Sequence, residues 1–348
     1  MKTIKVNASK SYDVIISENI LDKIGELSPI KPCKAAIISD DRVFALYGRI
    51  VEESLKKAGF LVVCHTFKNG EQSKNITEYA KILEFLAENQ LTRGDCIFAL
   101  GGGVCGDMSG FSAATYLRGI KFVQIPTTFL AAVDSSVGGK TGVNLTAGKN
   151  LAGAFHQPDI VLCDTKAFET LEEETFLDGV AETVKCGMIR NKALFEKMSG
   201  NYKEDIESVI ADCISVKRDV VEADEFDTGE RQLLNFGHTI GHTIEKLSNF
   251  KITHGHAVSI GMAIITKASY RTGICDKSVS DELIKTLKNC GLPTECEYSA
   301  EDIYKTALSD KKRMGDTITL VVPKQIGECV LHQIPTDELY NFIEKGLN

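Results

Sequence analysis

The sequence predicts an α/β N-terminal domain with a mostly parallel, Rossmann-like sheet, residues 1–170, followed by a mainly α-helical C-terminal domain, residues 171–348. Three observations predict it. Short β-rich runs alternate with helical patterns up to about residue 170, as they do in parallel sheets of βαβ units. Beyond that point helical periodicities follow one another with little strand character. The 348 residues also exceed the ~250–300 that a single hydrophobic core usually serves.

Strands are expected at 2–6 and 12–16, close enough in sequence to form an antiparallel edge ribbon, and then at 35–39, 61–64, 96–100, 122–125 and 160–163. Helical patterns over 42–58 and 76–90 lie between some of them. The second domain reads as helices at 172–188, 192–199, 206–223, 235–247, 257–272 and 278–289. Strand character returns at 317–322 and 328–333, joined by Pro323-Lys324-Gln325-Ile326-Gly327, which reads as a hairpin with a longer loop. A cleft between two such domains is a usual place for a ligand.

A hydrophobic content of 43% supplies material for two cores, and a net charge of −8 argues against nucleic acid or an anionic membrane as partner. No apolar run approaches the ~20 residues that span a bilayer, and residues 1–6 contain no signal-peptide apolar region. Eleven cysteines, odd in number and never spaced Cys-x-x-Cys, fit free thiols in a reducing cytoplasm. A cytoplasmic protein with neither a membrane nor a nucleic-acid partner is therefore expected.

Gly101, Gly103 and Gly106 satisfy Gly-x-Gly-x-x-Gly directly after the strand at 96–100 and before a helix expected over 108–116. Glycines allow a tight turn there, and free amides at a helix start attract a pyrophosphate. The next strand, 122–126, lacks the usual acidic residue, so an acidic ribose partner would come from Asp40 or Asp41. The competing reading is that these glycines serve only close helix–sheet packing.

The segment 235–256 holds four of the seven histidines: His238, His242, His254 and His256. His238 and His242, four apart, share one helical face. Two turns presenting imidazoles suit a borderline divalent cation, zinc above all. The best third ligand is Glu182, in the small-residue stretch Gly179-Val180-Ala181-Glu182-Thr183.

The glycine-rich run 134–144, followed by Gly148-Lys149-Asn150, reads as an exposed, tightly folded loop. Its Gly-Lys-Thr lacks the preceding Walker spacing, so Lys140 and Lys149 are read as contacts for a substrate anion or cofactor phosphate. Lys185 lies three residues after Glu182 on the same face. Lys217 and Arg218 lie in a long helix, and Lys311-Lys312-Arg313 precedes the terminal hairpin. Arg231 precedes Asn235 by four and His238 by seven, which puts all three on one face of a continuous helix. Together these cations predict a small, strongly anionic substrate.

Over nearly its whole length the chain resembles the 3-dehydroquinate synthases of the sugar-phosphate cyclase superfamily. The resemblance is carried by 101–107, 114–119, 124–128, 134–144, 148–150, Ala181-Glu182-x-x-Lys185 and 234–242. It implies an NAD-dependent zinc enzyme of the shikimate pathway, with cobalt an acceptable metal. Such an enzyme converts 3-deoxy-D-arabino-heptulosonate 7-phosphate to 3-dehydroquinate and phosphate. The reaction runs by transient oxidation with NAD, β-elimination of phosphate, reduction, ring opening and intramolecular aldol closure.

The resemblance also implies residue roles. Glu182, His238 and His254 match zinc ligands. Lys140, Asn150, Asn235, His242 and Lys311 or Lys312 match phosphate contacts. Arg231 matches a carboxylate clamp, and Asp134, Lys185 and Lys217 match partners of the substrate hydroxyls. Arg118 matches an arginine that reaches the phosphate pocket of a neighbouring subunit, which implies a homodimer. Asp40, Glu71, Lys74, Gly102, Gly103, Val104, Asp107, Thr127, Thr128, Lys149 and Thr170 match NAD-site positions. Two positions depart from the family's habit of Glu: Asp227, shorter by a methylene with Glu225 and Glu230 nearby, and His256, to which no catalytic role is assigned. The competing enzymes are an NAD- and metal-dependent polyol dehydrogenase and a cyclase for another sugar phosphate. Arg231 with Asn235, Lys217 and Lys140 favours a doubly anionic substrate over a polyol, and Arg231 argues against the other cyclases, whose substrates lack the carboxylate.

Overall fold

The computed structural model describes residues 1–308 and 316–348, which form two compact units, Met1–Leu171 and Glu172–Asn348. In the first unit β1 (Lys2–Asn7) and β2 (Ser11–Ser17) precede the short turn α1 (Ile24–Leu27), β3 (Lys34–Asp40), α2 (Asp41–Val43), α3 (Arg49–Lys57), β4 (Leu61–Phe67) and α4 (Ile76–Glu88). Then come β5 (Cys96–Gly101), α5 (Gly103–Thr115), β6 (Lys121–Pro126), β7 (Lys140–Leu145), β8 (Gly148–Phe155) and β9 (Ile160–Asp164). Seven strands make one sheet in the order β1-β2-β9-β6-β5-β3-β4, parallel throughout except for the antiparallel β1–β2 ribbon at its edge. The predicted fold class and all seven predicted strands are present.

The sheet is buried on both faces, which is why β3 and β5 read as continuous apolar runs. Ala35, Ile37, Phe98, Leu100 and Val123 point to one side and meet Val51 and Leu55 of α3. Ala36, Ile38, Ile97 and Phe122 point to the other and meet Ile82 and Leu86 of α4 and Met108 of α5. The chain therefore leaves β3 toward one face and β5 toward the opposite face. Adjacent parallel strands whose connections diverge in this way create a crevice at their carboxyl ends, the usual ligand position in such sheets.

Of the expected exposed loop, 134–144 and 148–150, residues 140–144 and 148–150 instead lie in the antiparallel hairpin β7–β8, which runs on to Phe155. Its strands carry no clear polar–apolar alternation, because Gly142 and Gly153 face each other across the ladder. Val143 nevertheless joins the core on the α4–α5 side.

The second unit contains α6 (Glu173–Arg190), α7 (Lys192–Ser199), α8 (Ile206–Ala223), α9 (His238–Leu247), α10 (His254–Arg271), α11 (Lys277–Asn289), α12 (Ala300–Leu308), the hairpin β10 (Thr317–Gln325) and β11 (Glu328–Pro335), and α13 (Leu339–Leu347). Helix α10 is its centre, buried along most of its length and packed against α6, α9, α11 and α13. The short helices α12 and α13 escaped the sequence reading. The terminal hairpin turns on Ile326 and Gly327 alone, tighter than expected, because the ladder continues through an irregularity beside Pro323. No helix among the described residues is long and apolar enough to cross a membrane.

The predicted helix over 235–247 begins only at His238. Residues Glu230–Asn235 form a separate 3-10 segment, and Gly237 breaks the chain with φ +80°. A Cβ on Gly237 would lie 2.7 Å from the Val258 carbonyl oxygen, so only glycine lets α9 start this close to α10. Arg231, Asn235 and His238 therefore do not lie on one continuous helical face, contrary to the spacing argument.

Candidate active site

Three helices of the second unit bring Glu182, His238 and His254 together. Glu182 is buried in the middle of α6, whereas His238 and His254 are the first residues of α9 and α10. Glu182 Oε1 lies 3.3 Å from His238 Nε2 and 3.4 Å from His254 Nε2. A tetrahedral zinc site with bonds of about 2.0–2.1 Å holds neighbouring donor atoms about 3.3–3.4 Å apart, so this spacing suits such a cation. The second carboxylate oxygen, Oε2, is ion-paired with Lys185 one turn along α6. Both oxygens are buried without an ordinary hydrogen bond, a costly state that charge must offset.

The imidazoles are oriented for coordination. His238 Nδ1 lies 3.2 Å from the Phe236 carbonyl oxygen, which can only accept, so the proton belongs on Nδ1 and Nε2 faces Glu182. His254 Nδ1 lies 3.2 Å from Glu245 Oε2, again leaving Nε2 toward Glu182. Burial opposes charge on Glu182, but Lys185 and then His238 hold its carboxyl well below the usual carboxylate range. Burial, reinforced by Lys185, lowers His238. Burial also opposes charge on His254, but the facing carboxylates of Glu182 and Glu245 win and raise it to about 10, holding a proton that a cation bound between these groups would displace. A buried carboxylate facing two imidazoles is a donor set that fits a divalent cation by its chemistry as well as by its distances.

His242, one turn after His238, belongs to the same cluster. Ligand nitrogens of His238, His242 and His254 all lie within 4.8 Å of one another. Its side chain, however, is 55% exposed, unlike that of His238 at 12%. It opens onto a recess of about 250 Å³ lined also by Asn235, Gln232, Thr239 and Thr319 of β10. His256 turns elsewhere, Nδ1 2.7 Å from the Thr253 hydroxyl.

Arg231 is buried, and its Nη1 donates to the Glu225 carbonyl at 2.5 Å. Its loop is held by Asp224, whose Oδ2 accepts from the amides of Gly229 at 2.7 Å and Arg231 at 3.0 Å. The hydrogen bond from the Thr228 amide, joined by those two, pulls Asp224 down to about 2. Lys217 is buried in α8. Asp227 sits in this same loop at φ +60°, and Glu230 is ion-paired with Arg190. Lys311 and Lys312 lie outside the described residues.

In the first unit the expected NAD-site residues follow the carboxyl ends of successive strands. Asp40 ends β3 and caps α2, accepting from the Val43 amide at 2.9 Å. Gly102, Gly103, Val104 and Asp107 follow β5, Thr127 and Thr128 follow β6, and Thr170 follows β9, bonded to the Tyr47 hydroxyl at 2.7 Å. After β4, Glu71 accepts from Asn144 at 2.7 Å, and Lys74 donates to Asp107 at 2.5 Å and to Asn150 at 2.6 Å. The structure thus joins Asn150, expected at a substrate phosphate, to two residues expected at the cofactor.

The opening of α5 is a cradle. A Cβ on Gly102 would lie 2.9 Å from Thr128 Cγ2, and the buried Thr127 hydroxyl has no hydrogen-bond partner among the described residues. First-turn amides of a helix have no intrahelical acceptor, so this end suits a phosphate of a dinucleotide. Lys140 opens β7 and Lys149 lies in β8, both exposed, while Asp134 lies in the helical turn Ala131–Ser135. Arg118 is exposed on a strained turn, with Leu117 at φ +49° and Arg118 itself at φ +70°.

Sequence reasoning missed Glu245, Gln232, Thr239 and Thr319. Glu245 follows His238 by seven and His242 by three, a helical spacing that was legible. Thr319 reaches the recess only through the tertiary fold.

Comparison with known proteins adds a separate line. The family model for the 3-dehydroquinate synthase N-terminal region matches residues 64–178, and that for the C-terminal region matches residues 179–313. The 3-dehydroquinate synthase of Streptococcus gordonii is 42% identical over 344 residues, covering 96% of this chain and 97% of that protein. That of Enterococcus faecalis is 43% identical over 354 residues, covering 99% of each. A crystal structure of a 2-deoxy-scyllo-inosose synthase complexed with carbaglucose-6-phosphate, NAD+ and Co2+ is 26% identical, with a TM-score of 0.90 over 99% of this chain and 100% of that one. Family models spanning most of the sequence and relatives matched end to end agree with the geometry, and the chain belongs to the 3-dehydroquinate synthase family.

Proposed function

We propose that the protein is a 3-dehydroquinate synthase that converts 3-deoxy-D-arabino-heptulosonate 7-phosphate to 3-dehydroquinate and phosphate, a lyase reaction of the shikimate pathway. The observation that carries the reading is the 3.3–3.4 Å convergence of Glu182 with His238 and His254 in a chain of this family. Glu182, His238 and His254 would hold zinc, or cobalt in its place. Asp40, Glu71, Lys74, Gly102, Gly103, Val104, Asp107, Thr127, Thr128, Lys149 and Thr170 would hold NAD, making the first unit the cofactor domain and the second the metal domain. When bound, NAD supplies a reversible hydride acceptor and the cation polarises a substrate hydroxyl.

The remaining roles belong to the chain's own groups. Arg231, buried and fixed by its loop, suits bidentate capture of the substrate carboxylate. Asn235 and His242 line a polar recess fit for a phosphate, and on the resemblance we assign Lys140, Asn150 and one of Lys311 or Lys312 to contacts with a substrate phosphate. Asp134, Lys185 and Lys217 are assigned to the substrate hydroxyls. Lys185 also balances the charge of Glu182, which keeps one carboxylate oxygen engaged and the other directed at the imidazoles. Arg118 is assigned to the phosphate site of a second copy in a homodimer, its strained turn offering an exposed cation. Eleven cysteines, odd in number and never spaced Cys-x-x-Cys, support a cytoplasmic setting.

The test is an assay with the heptulosonate phosphate, catalytic NAD and a divalent metal, following phosphate and NADH together. Stoichiometric phosphate without lasting NADH is expected. Accumulating NADH would indicate a dehydrogenase, and turnover only of sugar phosphates without a carboxylate would indicate another cyclase.

A further inference from the structure

We propose that Glu245 is a positioning residue for the cation site, presenting His254 as an imidazole protonated at Nδ1 so that Nε2 is left to coordinate. The inference rests on the cation site proposed above. Glu245 lies on α9, nine residues before His254, and its side chain is 5% exposed. Its Oε2 lies 3.2 Å from His254 Nδ1. The carboxylate oxygen accepts and the imidazole nitrogen donates, so the shared hydrogen belongs to His254. The same oxygen lies 3.9 Å from His242 Nε2, beyond hydrogen-bond range, so its hydrogen bond to an imidazole goes to His254.

The backbone around Glu245 is held in turn. Its carbonyl accepts from the Phe250 amide at 2.8 Å and from the Ser248 hydroxyl at 2.9 Å, closing the end of α9. His254 is fixed independently at its backbone. Asp178, one turn before Glu182 on α6, accepts from the Gly255 amide at 2.8 Å and the Thr253 hydroxyl at 2.6 Å. It thereby ties the start of α10 to the helix that carries Glu182. Asp178 thus sets where the imidazole is, and Glu245 sets which edge of it faces the site. His238 reaches the same tautomer by another route, through the Phe236 carbonyl. A carboxylate behind a ligating imidazole fixes the ring and raises its basicity, and losing such a partner typically weakens metal binding ~10–100-fold.

The experiment measures Co2+ affinity of the full chain by chelator competition in wild type, Glu245→Gln, Glu245→Leu and Glu182→Gln. It is paired with proton NMR of the Co2+ forms and with NADH binding as a check on folding. Glu245→Leu is expected to bind Co2+ ~10–100-fold more weakly, and Glu245→Gln less so, since its amide oxygen still accepts. The paramagnetically shifted, slowly exchanging Nδ1 proton of His254 should be present in wild type and lost in Glu245→Leu. If Glu245→Leu does not fold, Glu245→Gln carries the comparison. Both Glu245 variants binding within about twofold of wild type, far short of the loss expected for a supporting carboxylate, with that proton unchanged and Glu182→Gln depleted, would overturn the role of Glu245 and leave the site standing. Retention of Co2+ by Glu182→Gln as well would overturn the site and this inference together.

Discussion

Glu182 and His238, fifty-six residues apart in sequence, meet with a carboxylate oxygen 3.3 Å from an imidazole nitrogen, while Lys185 engages the other oxygen. Two unprotonated acceptors this close repel each other in a buried place unless a proton or a cation lies between them. The first prediction follows from this relationship.

Glu182→Gln should lose bound metal and turnover while keeping its secondary structure. The amide still fills the space, but it removes a charged ligand and leaves Lys185 without its counter-ion. The loss of affinity should exceed the ~10–100-fold that a merely supporting partner is worth. Metal content after dialysis, alongside circular dichroism, checks it; unchanged metal would remove Glu182 from the ligand set.

Arg231→Met should raise KM for the heptulosonate phosphate and lower kcat/KM by ~10–100-fold, the range of a lost charge-assisted hydrogen bond worth ~1.5–3 kcal/mol. NADH affinity should not change. A variant that turned over this substrate normally would dissociate Arg231 from carboxylate recognition.

Gly102→Val should weaken NADH binding, because its Cβ would begin 2.9 Å from Thr128 Cγ2 and crowd the start of α5. Fluorescence titration reads the dissociation constant directly. Metal affinity should stay at the wild-type value, and an unaltered NADH constant would move the cofactor away from this turn.

Gly237→Ala should cost ~1–3 kcal/mol of stability, since φ +80° is strained for alanine and the new Cβ meets the Val258 carbonyl. Thermal unfolding checks the first part. Because α9 begins at the next residue, metal affinity should fall too.

Asp224 gives the pH dependence. Its folded pKa, about 2, lies below the ordinary 3.8, so its contribution to stability is present above pH 3.8 and is lost as pH falls through 2. The difference in thermal midpoint between wild type and Asp224→Asn should therefore be constant above pH ~4 and shrink toward pH ~2. A difference that grew on acidification would contradict the assignment.

Much of this was legible in the sequence, for identifiable reasons. Strands buried on both faces, such as β3 and β5, announce themselves as short unbroken apolar runs between helical periodicities. His238 and His242 share a face because four residues span about one helical turn. Glu182 stands out by its surroundings of small residues and by the resemblance, and the structure sets it against His238 and His254. Other features depend on contacts that local periodicity does not encode. The break at Gly237 arises from the close passage of Val258, so Arg231 and Asn235 were wrongly placed on the face of α9. The β7–β8 hairpin hides behind glycines that pair across strands. Thr319 reaches the recess from a hairpin about eighty residues after His238.

Anomalous diffraction from a crystal grown with Zn2+ tests the central claim most directly. The account predicts a peak about 2.0–2.2 Å from Glu182 Oε1, His238 Nε2 and His254 Nε2 together, the range of zinc–oxygen and zinc–nitrogen bonds. A peak held by His238, His242 and His254 with Glu182 out of reach, or no peak in this cluster, would contradict it.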